Sequence, residues 1–167
     1  PAGRADAHAA LFQFTDRLYR AESLGDVFEA ALDAIVDALG CARASILLFD
    51  AAGVMKFVAS RGLSQAYCRA VEGHSPWQQG QPAPDPVCID DIAQADVPDE
   101  LKGTIRREGI RALAFIPLTA NGLVIGKFMT YFEAVHRFSA PELELSLTIA
   151  RQLGFSLERM RAEEARR

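Results

Sequence analysis

Lys127 is the residue whose chemistry is hardest to explain by folding alone. It interrupts an apolar run, Leu123 to Phe132, that is long enough to form one strand. Because side chains alternate between the two faces of a strand, Lys127 would share a face with Met129 and Tyr131. A buried ammonium group requires an anionic partner. The pattern therefore predicts that these three side chains face a ligand cavity.

The sequence leaves the partner of Lys127 open. A carboxylate on a bound ligand would serve, and so would a protein carboxylate such as Asp85, Asp90 or Asp91. The alternative is that Lys127 lies at a strand edge and extends its ammonium group to water along its apolar stem. The two interpretations differ in whether the amine is buried.

The long loop from His74 to Pro86 carries two further candidates, because loops of this length inside a compact domain are often functional. His74 is a candidate ligand contact, or it caps the preceding helix, where the helix dipole favours it. Trp77 is either a lid over the cavity or a hydrophobic anchor for the loop. His8 and His136 lie in other elements without metal-ligand spacing, so no metal site is predicted.

The three cysteines, Cys41, Cys68 and Cys88, form no CxxC pair. An odd count without paired spacing argues against a disulfide framework and favours a reducing compartment, so we expect a cytoplasmic protein. Cys68 lies on a predicted helix and is a cavity candidate, although all three thiols fit buried structural roles. Arg111 precedes a predicted strand, and we expect it to pair with Glu108 or to contact an acidic ligand.

Composition and missing motifs exclude several classes of function. The formal net charge is −4 and no separate basic face is visible, which argues against a nucleic-acid partner. No apolar run approaches the roughly 20 residues that span a membrane, and no signal peptide opens the chain. The motifs G-x-S-x-G, H-E-x-x-H and a Gly-rich phosphate loop are absent, so no catalytic residue is predicted and we do not expect an enzyme. The start at Pro1 suggests a piece of a longer protein.

Helices are predicted at both ends of the chain and between the strands. Each of these segments carries apolar residues at helical spacing. Ser or Pro stands at the start of most of the segments, and Gly follows three of the segments. The predicted helices are Asp6–Glu22, Leu24–Leu39, Ser64–Glu72, Pro98–Glu108 and a closing helix that follows Ser139.

The closing helix carries two overlapping apolar stripes and begins at a capping box formed by Ser139 and Glu142. One stripe runs from Leu143 to Gly154 and the other from Ile149 to Met160. Two stripes predict two packing partners, which we expect to be the sheet and a helix outside the domain.

Two hairpins and a lone strand account for the remaining apolar runs. Asn121-Gly122 supplies the two residues of positive φ that a tight hairpin turn requires. Pro117 lies inside one run and is expected at an unpaired or bulged position. Together these strands predict a mostly antiparallel sheet with the terminal helices on one face. The predicted strands are Ser45–Phe49, Val54–Ala59, Val87–Ile89, Ala112–Thr119 and Leu123–Phe132.

The second hairpin resembles the C-terminal hairpin of GAF domains. The similarity lies in Gly109-Ile-Arg-Ala-Leu-Ala-Phe-Ile-Pro-Leu118, then Asn121-Gly122, then Ile125-Gly126-Lys-Phe128. Phe138-Ser139 followed by Glu142 matches the usual entry to the closing helix of that family. The element order agrees as well, so the resemblance extends over most of the chain.

The resemblance, from about Ala7 to Arg159, implies a GAF-like α/β (α+β) fold. Such a fold has a central antiparallel sheet of five to six strands, with terminal helices on one face and a pocket on the other. Residues 1–167 would form a single domain. Residues 1–22 would be its N-terminal helix and residues 140–167 its C-terminal signalling helix.

The resemblance also implies a regulatory function, because GAF domains are mostly input modules of bacterial signalling proteins. The segments Glu72–Trp77 and Gly126–Met129 resemble those of sensor histidine kinases. Our first hypothesis is a sensory domain that binds a small molecule and signals through its closing helix to an output domain, a kinase, in the same chain. The terminal helices would pair two chains into a homodimer.

Two alternatives remain open. In the first, the chain is a ligand-free dimerisation module. In the second, it is a thiol-based redox sensor or enzyme that uses Cys68 or Cys88. No cofactor is identified: Cys68 is followed by Arg69 rather than by the His usual at bilin attachment sites, and the Asn-Lys part of the cyclic-nucleotide signature is missing.

Overall fold

The computed structural model describes the backbone of residues 2–166 and the side chains of residues 6–166. Positions 1 and 167, which the predicted terminal segments include, lie outside the described residues. The elements in chain order are α1 (Ala2–Arg20), α2 (Leu24–Leu39), β1 (Arg43–Phe49), β2 (Met55–Arg61), α3 (Gln65–Val71), β3 (Val87–Ile89), a 3₁₀ turn (Ile92–Gln94), α4 (Asp99–Arg107), β4 (Ala112–Ala120), β5 (Leu123–Phe132) and α5 (Ala140–Ala165).

The predicted order of helices and strands is confirmed, with modest shifts of the boundaries. Helix α1 ends at Arg20, two residues before the predicted end at Glu22. The 3₁₀ turn was not predicted; the Asp91 carboxylate caps it by accepting a hydrogen bond from the Ala93 N–H. A three-residue turn has no apolar period, so only its capping residue leaves a trace in the sequence.

Capping residues end and begin the helices where the sequence places them. The Ser23 side chain accepts a hydrogen bond from the Asp26 N–H at the start of α2, and Gly40 ends that helix in the left-handed conformation. Ser139 and Glu142 form the predicted capping box of α5. These caps satisfy backbone groups that a helix end otherwise leaves without partners.

The sheet is antiparallel throughout, with strand order β2-β1-β5-β4-β3. The predicted antiparallel α+β fold of five to six strands is thus confirmed with five. Asn121 and Gly122 both have positive φ, at 54° and 79°, as the hairpin turn requires. Pro117 lies past the residues of β4 that pair with β3, just before a register shift at Leu118 and Thr119.

Helices α1, α2 and α5 lie on one side of the sheet and bury the larger core there. Helices α2 and α5 contact the strands directly, and α1 packs across α2. None of the described helices combines the length and the apolar character that a membrane crossing needs. We call the core between these three helices and the sheet the helix-side core. Its fully buried members include Phe14, Leu32, Ile35, Ile46, Ile116 and Phe128.

The prediction that α5 needs a packing partner outside the domain for its second stripe is wrong. Ile149, Leu153, Leu157 and Met160 are all buried in the helix-side core. Their second partner is α2 of the same chain. The apolar period of α5 shows that two surfaces are covered, but it does not show which chain covers them.

An ionic network joins α1 and β2 to α2. The Asp33 carboxylate on α2 accepts hydrogen bonds from Arg17 on α1 and from Arg61 on β2, and Arg61 also pairs with Glu29. Partial burial acts to raise the pKa of Asp33, but the hydrogen bonds from the two arginines lower it overall. The network therefore favours an ionised Asp33 in the folded chain.

Helix α5 approaches the sheet very closely at Gly154. A Cβ atom at this position would lie 2.6 Å from the Thr119 carbonyl oxygen of β4. Real Cβ atoms do not approach a backbone oxygen this closely, so the helix can only lie at this distance from β4 because residue 154 is glycine.

We predict that Gly154→Ala lowers the free energy of unfolding by about 1–3 kcal/mol, because the added methyl group forces α5 away from β4. This loss exceeds the gain of about 1 kcal/mol that alanine normally brings to a helix. Urea unfolding measures the difference. Gly103→Ala is the matched control, since its Cβ would meet only the mobile end of Arg107, and it should raise stability. Equal effects of the two substitutions would contradict the prediction.

Candidate functional site

A small cavity lies between the other face of the sheet and the helices α3 and α4, which we call the lid. Its free volume is about 40 Å³. Residues of β1, β2, β4 and β5 form the floor, and residues of the lid and the following loop form the roof. The lining consists of Leu47, Phe57, Tyr67, Val71, His74, Leu101, Ile105, Leu113, Phe115, Lys127, Met129 and Tyr131.

The alternation predicted for β5 is observed and places Lys127 in the cavity. Met129 and Tyr131 belong to the core on the lid side, whereas Phe128 belongs to the helix-side core. Strand β5 is the central strand, and its register sets Lys127 between Leu47 of β1 and Pro117 of β4. The side chain of Lys127 is therefore far from either sheet edge.

The amine of Lys127 is buried without a carboxylate partner. The residue is 4% exposed, so the interpretation that it reaches water at a strand edge is wrong. Its Nζ donates a hydrogen bond to the His74 carbonyl oxygen at 2.9 Å and lies 4.8 Å from the centroid of the Phe115 ring. Burial lowers the pKa of Lys127 from 10.5 to about 7.

None of the predicted carboxylates, Asp85, Asp90 and Asp91, forms an ion pair with Lys127, whose hydrogen-bond acceptor is the His74 carbonyl oxygen. Asp91 accepts a hydrogen bond from Arg111 Nε at 2.7 Å, and this bond lowers the pKa of the Asp91 carboxyl. Asp90 lies near the Phe138 N–H. The expectation of an Asp partner within the protein is therefore wrong: the partner is a backbone carbonyl, which balances no charge.

Arg111 contacts neither Glu108 nor the cavity. Its ion pair with Asp91 replaces the predicted pair with Glu108. Glu108 instead accepts hydrogen bonds from the N–H and the hydroxyl of Ser64, at 2.7 Å and 2.8 Å. The Glu108 carboxylate thus joins the end of α4 to the start of α3 and holds the two lid helices together.

The loop after α3 is held by a hydrogen bond across it and by hydrogen bonds to the sheet at its middle. Trp77 is 6% exposed and its indole Nε1 donates to the Asp85 carbonyl oxygen at 2.9 Å. Trp77 is not part of the cavity lining, so it anchors the loop rather than covering the cavity. Further along, Gly80 and Gln81 form backbone hydrogen bonds with Val124 of β5.

His74 lines the cavity from the loop. Its N–H donates to the Val71 carbonyl oxygen and ends α3, while its own carbonyl oxygen receives the bond from Lys127. The predicted capping role is thus carried by the backbone of His74, which is an exposed residue among those that line the cavity.

Two tyrosines give the cavity its remaining polar atoms. The Tyr131 hydroxyl is 2.8 Å from the Ser45 hydroxyl, so its hydrogen bonding is met within the protein. Tyr67 packs edge-on against the Tyr131 ring at 6.2 Å. Burial raises the pKa of both tyrosines, so both are neutral near pH 7.

Cys68 lies on α3 outside the cavity lining, unlike the prediction. Burial raises the pKa of the Cys68 thiol, and it raises the pKa of Cys41 and of Cys88 to about 11. A raised thiol pKa disfavours the reactive thiolate. Among the described residues no cluster of His, Cys, Asp or Glu could hold a metal ion.

Several lining residues were missed by sequence reasoning although a signal for them exists. Leu113 and Phe115 alternate along β4 and face Tyr131 and Met129 in the register. Leu101 and Ile105 are four residues apart in α4, on one face of that helix. The Glu108–Ser64 contact left no such signal, because it joins residues that are distant in the chain.

A larger groove, of about 590 Å³, lies on the other side of the sheet among α1, α2 and α5. It is an open surface groove. Two histidines line it: His8 is exposed, and His136 contacts the Glu142 carboxylate at 2.8 Å and stacks on Phe132, so those polar groups already satisfy one another. The cavity at Lys127 is the better candidate, because its buried amine lacks a counter-charge.

The fold and its cavity agree with one family of proteins. The profile of the GAF domain matches residues 21–158, and the chain belongs to this family. No curated protein shows significant sequence similarity to the chain. The family assignment predicted from the second hairpin is confirmed.

Solved structures give the same result. A domain assigned to a two-component sensor histidine kinase protein of Sinorhizobium meliloti 1021 is 55% identical, with a TM-score of 0.82 over 87% of this chain and 99% of that one. The GAF domain of a Coxiella burnetii phosphoenolpyruvate-protein phosphotransferase is 19% identical, with a TM-score of 0.75 over 96% and 98%. The Thermosynechococcus elongatus PixJ GAF domain is 20% identical, with a TM-score of 0.68 over 90% and 89%. The last two show the fold alone.

We predict that Lys127→Met raises the free energy of unfolding at pH 7, because an apolar side chain of similar length removes the cost of burying the amine. In the wild type the folded amine loses its proton near pH 7, whereas the unfolded one keeps it until about 10.5. The unfolded state therefore binds more protons in this range, and wild-type stability gains on the order of 1 kcal/mol per pH unit from Lys127.

Urea unfolding at several pH values tests this prediction. The advantage of Lys127→Met should be largest at and below about pH 7 and should vanish toward pH 10.5. The cysteines and tyrosines titrate in both proteins, so the difference between the two curves isolates Lys127. A constant difference across the range would contradict a lowered pKa.

Proposed function

We propose that the chain is a sensory domain of a bacterial signalling protein that binds a small molecule in the cavity at Lys127. The observation that carries the proposal is a buried amine, 4% exposed, that lines a cavity and has no counter-charge. Burying such a group is costly unless something compensates for it. A structural role alone does not explain that cost, whereas ligand binding does.

A sensor histidine kinase is the proposed context. The 55% identical domain is assigned to such a protein, and it covers most of this chain. We infer that a kinase output domain belongs to the same chain as this domain and that the isolated domain has no catalytic activity. Free cysteines at positions 41, 68 and 88 fit the proposed cytoplasmic location.

The proposed route from the cavity to α5 is short. Lys127 pairs in register with Pro117 on β4, and Thr119 of the same strand contacts Gly154 of α5. A shift of β5 and β4 on ligand binding would press on α5 without any side chain between them to absorb the movement. Interiors packed this closely transmit displacement.

Dimerisation through the terminal helices is the proposed second property. Phe12 and Tyr19 are 78% and 83% exposed on α1, and Phe155 is 69% exposed on α5. Tyr19 and Phe155 line an open, mainly apolar groove of about 400 Å³ between the two helices. Exposed aromatic side chains grouped along one groove are typical of an interface.

The same patch supports the alternative of a ligand-free dimerisation module, which predicts a dimer without a ligand. The thiol-sensor alternative has less support. Burial raises the pKa of Cys68 and Cys88 rather than lowering it, opposite to what a reactive thiol needs.

Binding is tested by native mass spectrometry of the protein purified from cells, followed by thermal shifts with a small-molecule library. We expect a ligand that stabilises the wild type by about 2.7 kcal/mol at 100 times its Kd. It should also change hydrogen exchange in α5 near Gly154. Lys127→Met should lose the stabilisation, and the surface variant Val135→Ser should keep it. Persistent absence of any ligand would favour the ligand-free alternative.

Dimerisation is tested by sedimentation velocity. We expect a dimer at micromolar concentration and a monomer for Phe155→Glu, because a buried charge without a partner opposes association. Val135→Glu is the matched control: Val135 is 55% exposed but lies in the connection before α5, away from the groove. A monomeric wild type, or equal effects of the two variants, would overturn the proposal.

A further inference from the structure

The amine of Lys127 has more donors than the protein fills. An ammonium group carries three N–H donors. One of them is given to the His74 carbonyl oxygen, and the Phe115 ring lies below the nitrogen. No carboxylate among residues 6–166 pairs with it, and burial is the sole cause of its altered pKa. A guest that accepts hydrogen bonds and carries one negative charge would complete this environment.

The free volume limits the size of that guest. A cavity needs about 10–15 Å³ to hold one water molecule. The free volume of about 40 Å³ is therefore equivalent to roughly three waters. Drug-sized ligands occupy pockets of roughly 300–1,000 Å³, so a nucleotide or a tetrapyrrole would require the lid to be rebuilt.

The lining limits the charge of the guest to one. Lys127 is the sole lysine or arginine among the lining residues, and most of the others are aliphatic or aromatic. The hydroxyl of Tyr131 is already engaged by Ser45. A second carboxylate or a phosphate dianion would bury a negative charge that nothing in the lining balances. An apolar body with a single carboxylate fits both the amine and the walls.

We propose that the cavity binds a short-chain monocarboxylate of roughly two or three carbons, the class of acetate and propionate. The carboxylate accepts hydrogen bonds from Lys127 Nζ, and the alkyl chain lies among Leu47, Leu113 and Met129. This inference rests on the proposed sensory function and specifies the ligand class for the same cavity.

Binding should take up a proton, because the carboxylate favours the ammonium form of Lys127. The titratable groups that face this amine are Tyr67 from α3, His74 from the loop and Tyr131 from β5; the residues that face it from β1, β2, β4 and α4 are apolar. Both tyrosines stay neutral near pH 7 because burial raises their pKa. His74 is therefore the one other lining group that requires a control.

The test is a ¹⁵N-amide NMR titration of the chain with sodium propionate, propionamide and sodium succinate. We expect saturable shifts at Leu47, Lys127 and Met129 with propionate, at a Kd on the order of 1 mM for so few atoms. Propionamide has the same shape without the charge and should bind at least tenfold more weakly, as should succinate. Lys127→Met should abolish the shifts, and Lys56→Met, at an exposed lysine, should leave them unchanged.

The pH dependence provides a second readout that does not require a variant. Propionate affinity should fall roughly twentyfold between pH 6.5 and 8.5, as the ammonium form of Lys127 is lost. His74→Gln should keep this dependence. Its disappearance in His74→Gln would assign the charge to the imidazole and overturn the inference.

The ligand class and the proposed function fail in different ways. Equal binding of propionamide and propionate, or propionate binding by Lys127→Met, would overturn the monocarboxylate while leaving the cavity a ligand site. If none of the three compounds binds, the monocarboxylate proposal is also overturned. The proposed function itself fails only if the cavity additionally binds nothing in the library and nothing is carried from cells.

Discussion

The burial of one amine on the central strand determines how the lid side of this domain is built. Strand β5 lies between β1 and β4, so Lys127 cannot reach water at a sheet edge. Its Nζ must find an acceptor within the layer above the sheet, and the His74 carbonyl oxygen is the acceptor it finds. That bond ties the start of the loop, just after the end of α3 at Val71, to the central strand.

The two sides of the sheet are consequently stabilised in different ways. The helix-side core is apolar and closely packed, to the point that α5 approaches β4 only because residue 154 is glycine. The lid side has a smaller apolar core, which includes Tyr67 and Val71 of α3 and Ile105 of α4. Polar contacts between distant segments add to it, and that of Glu108 with Ser64 joins the two lid helices. A smaller apolar core is a feature of a region that opens at a lower free energy, so we expect the lid to open before the helix-side core does.

Sequence reasoning reached the fold and part of the site for identifiable physical reasons. Strand alternation and the Asn121-Gly122 turn are local, so they predicted both the hairpin and the face of Lys127. The partner of an ion pair is not determined locally. Arg111 pairs with Asp91 rather than with its near neighbour Glu108, because the 3₁₀ turn brings the Asp91 carboxylate to it. The cavity volume depends on how residues from six elements pack, and no pattern in one segment carries that information.

The proposed signal transfer from such a small cavity requires little movement. A guest of a few atoms cannot drive a large closure, since a ligand shifts an equilibrium only by its differential affinity for the two states. What it can change is the charge state and hydrogen bonding of Lys127, and through them the position of β5 relative to the His74 carbonyl. Strand β4 pairs with β5 at Lys127 and contacts α5 at Thr119. Because residue 154 is glycine, no side chain separates α5 from Thr119 and could absorb its displacement. In the proposed relay, the tight contact at Gly154 would carry a displacement of β4, which lies beside Lys127, to the closing helix.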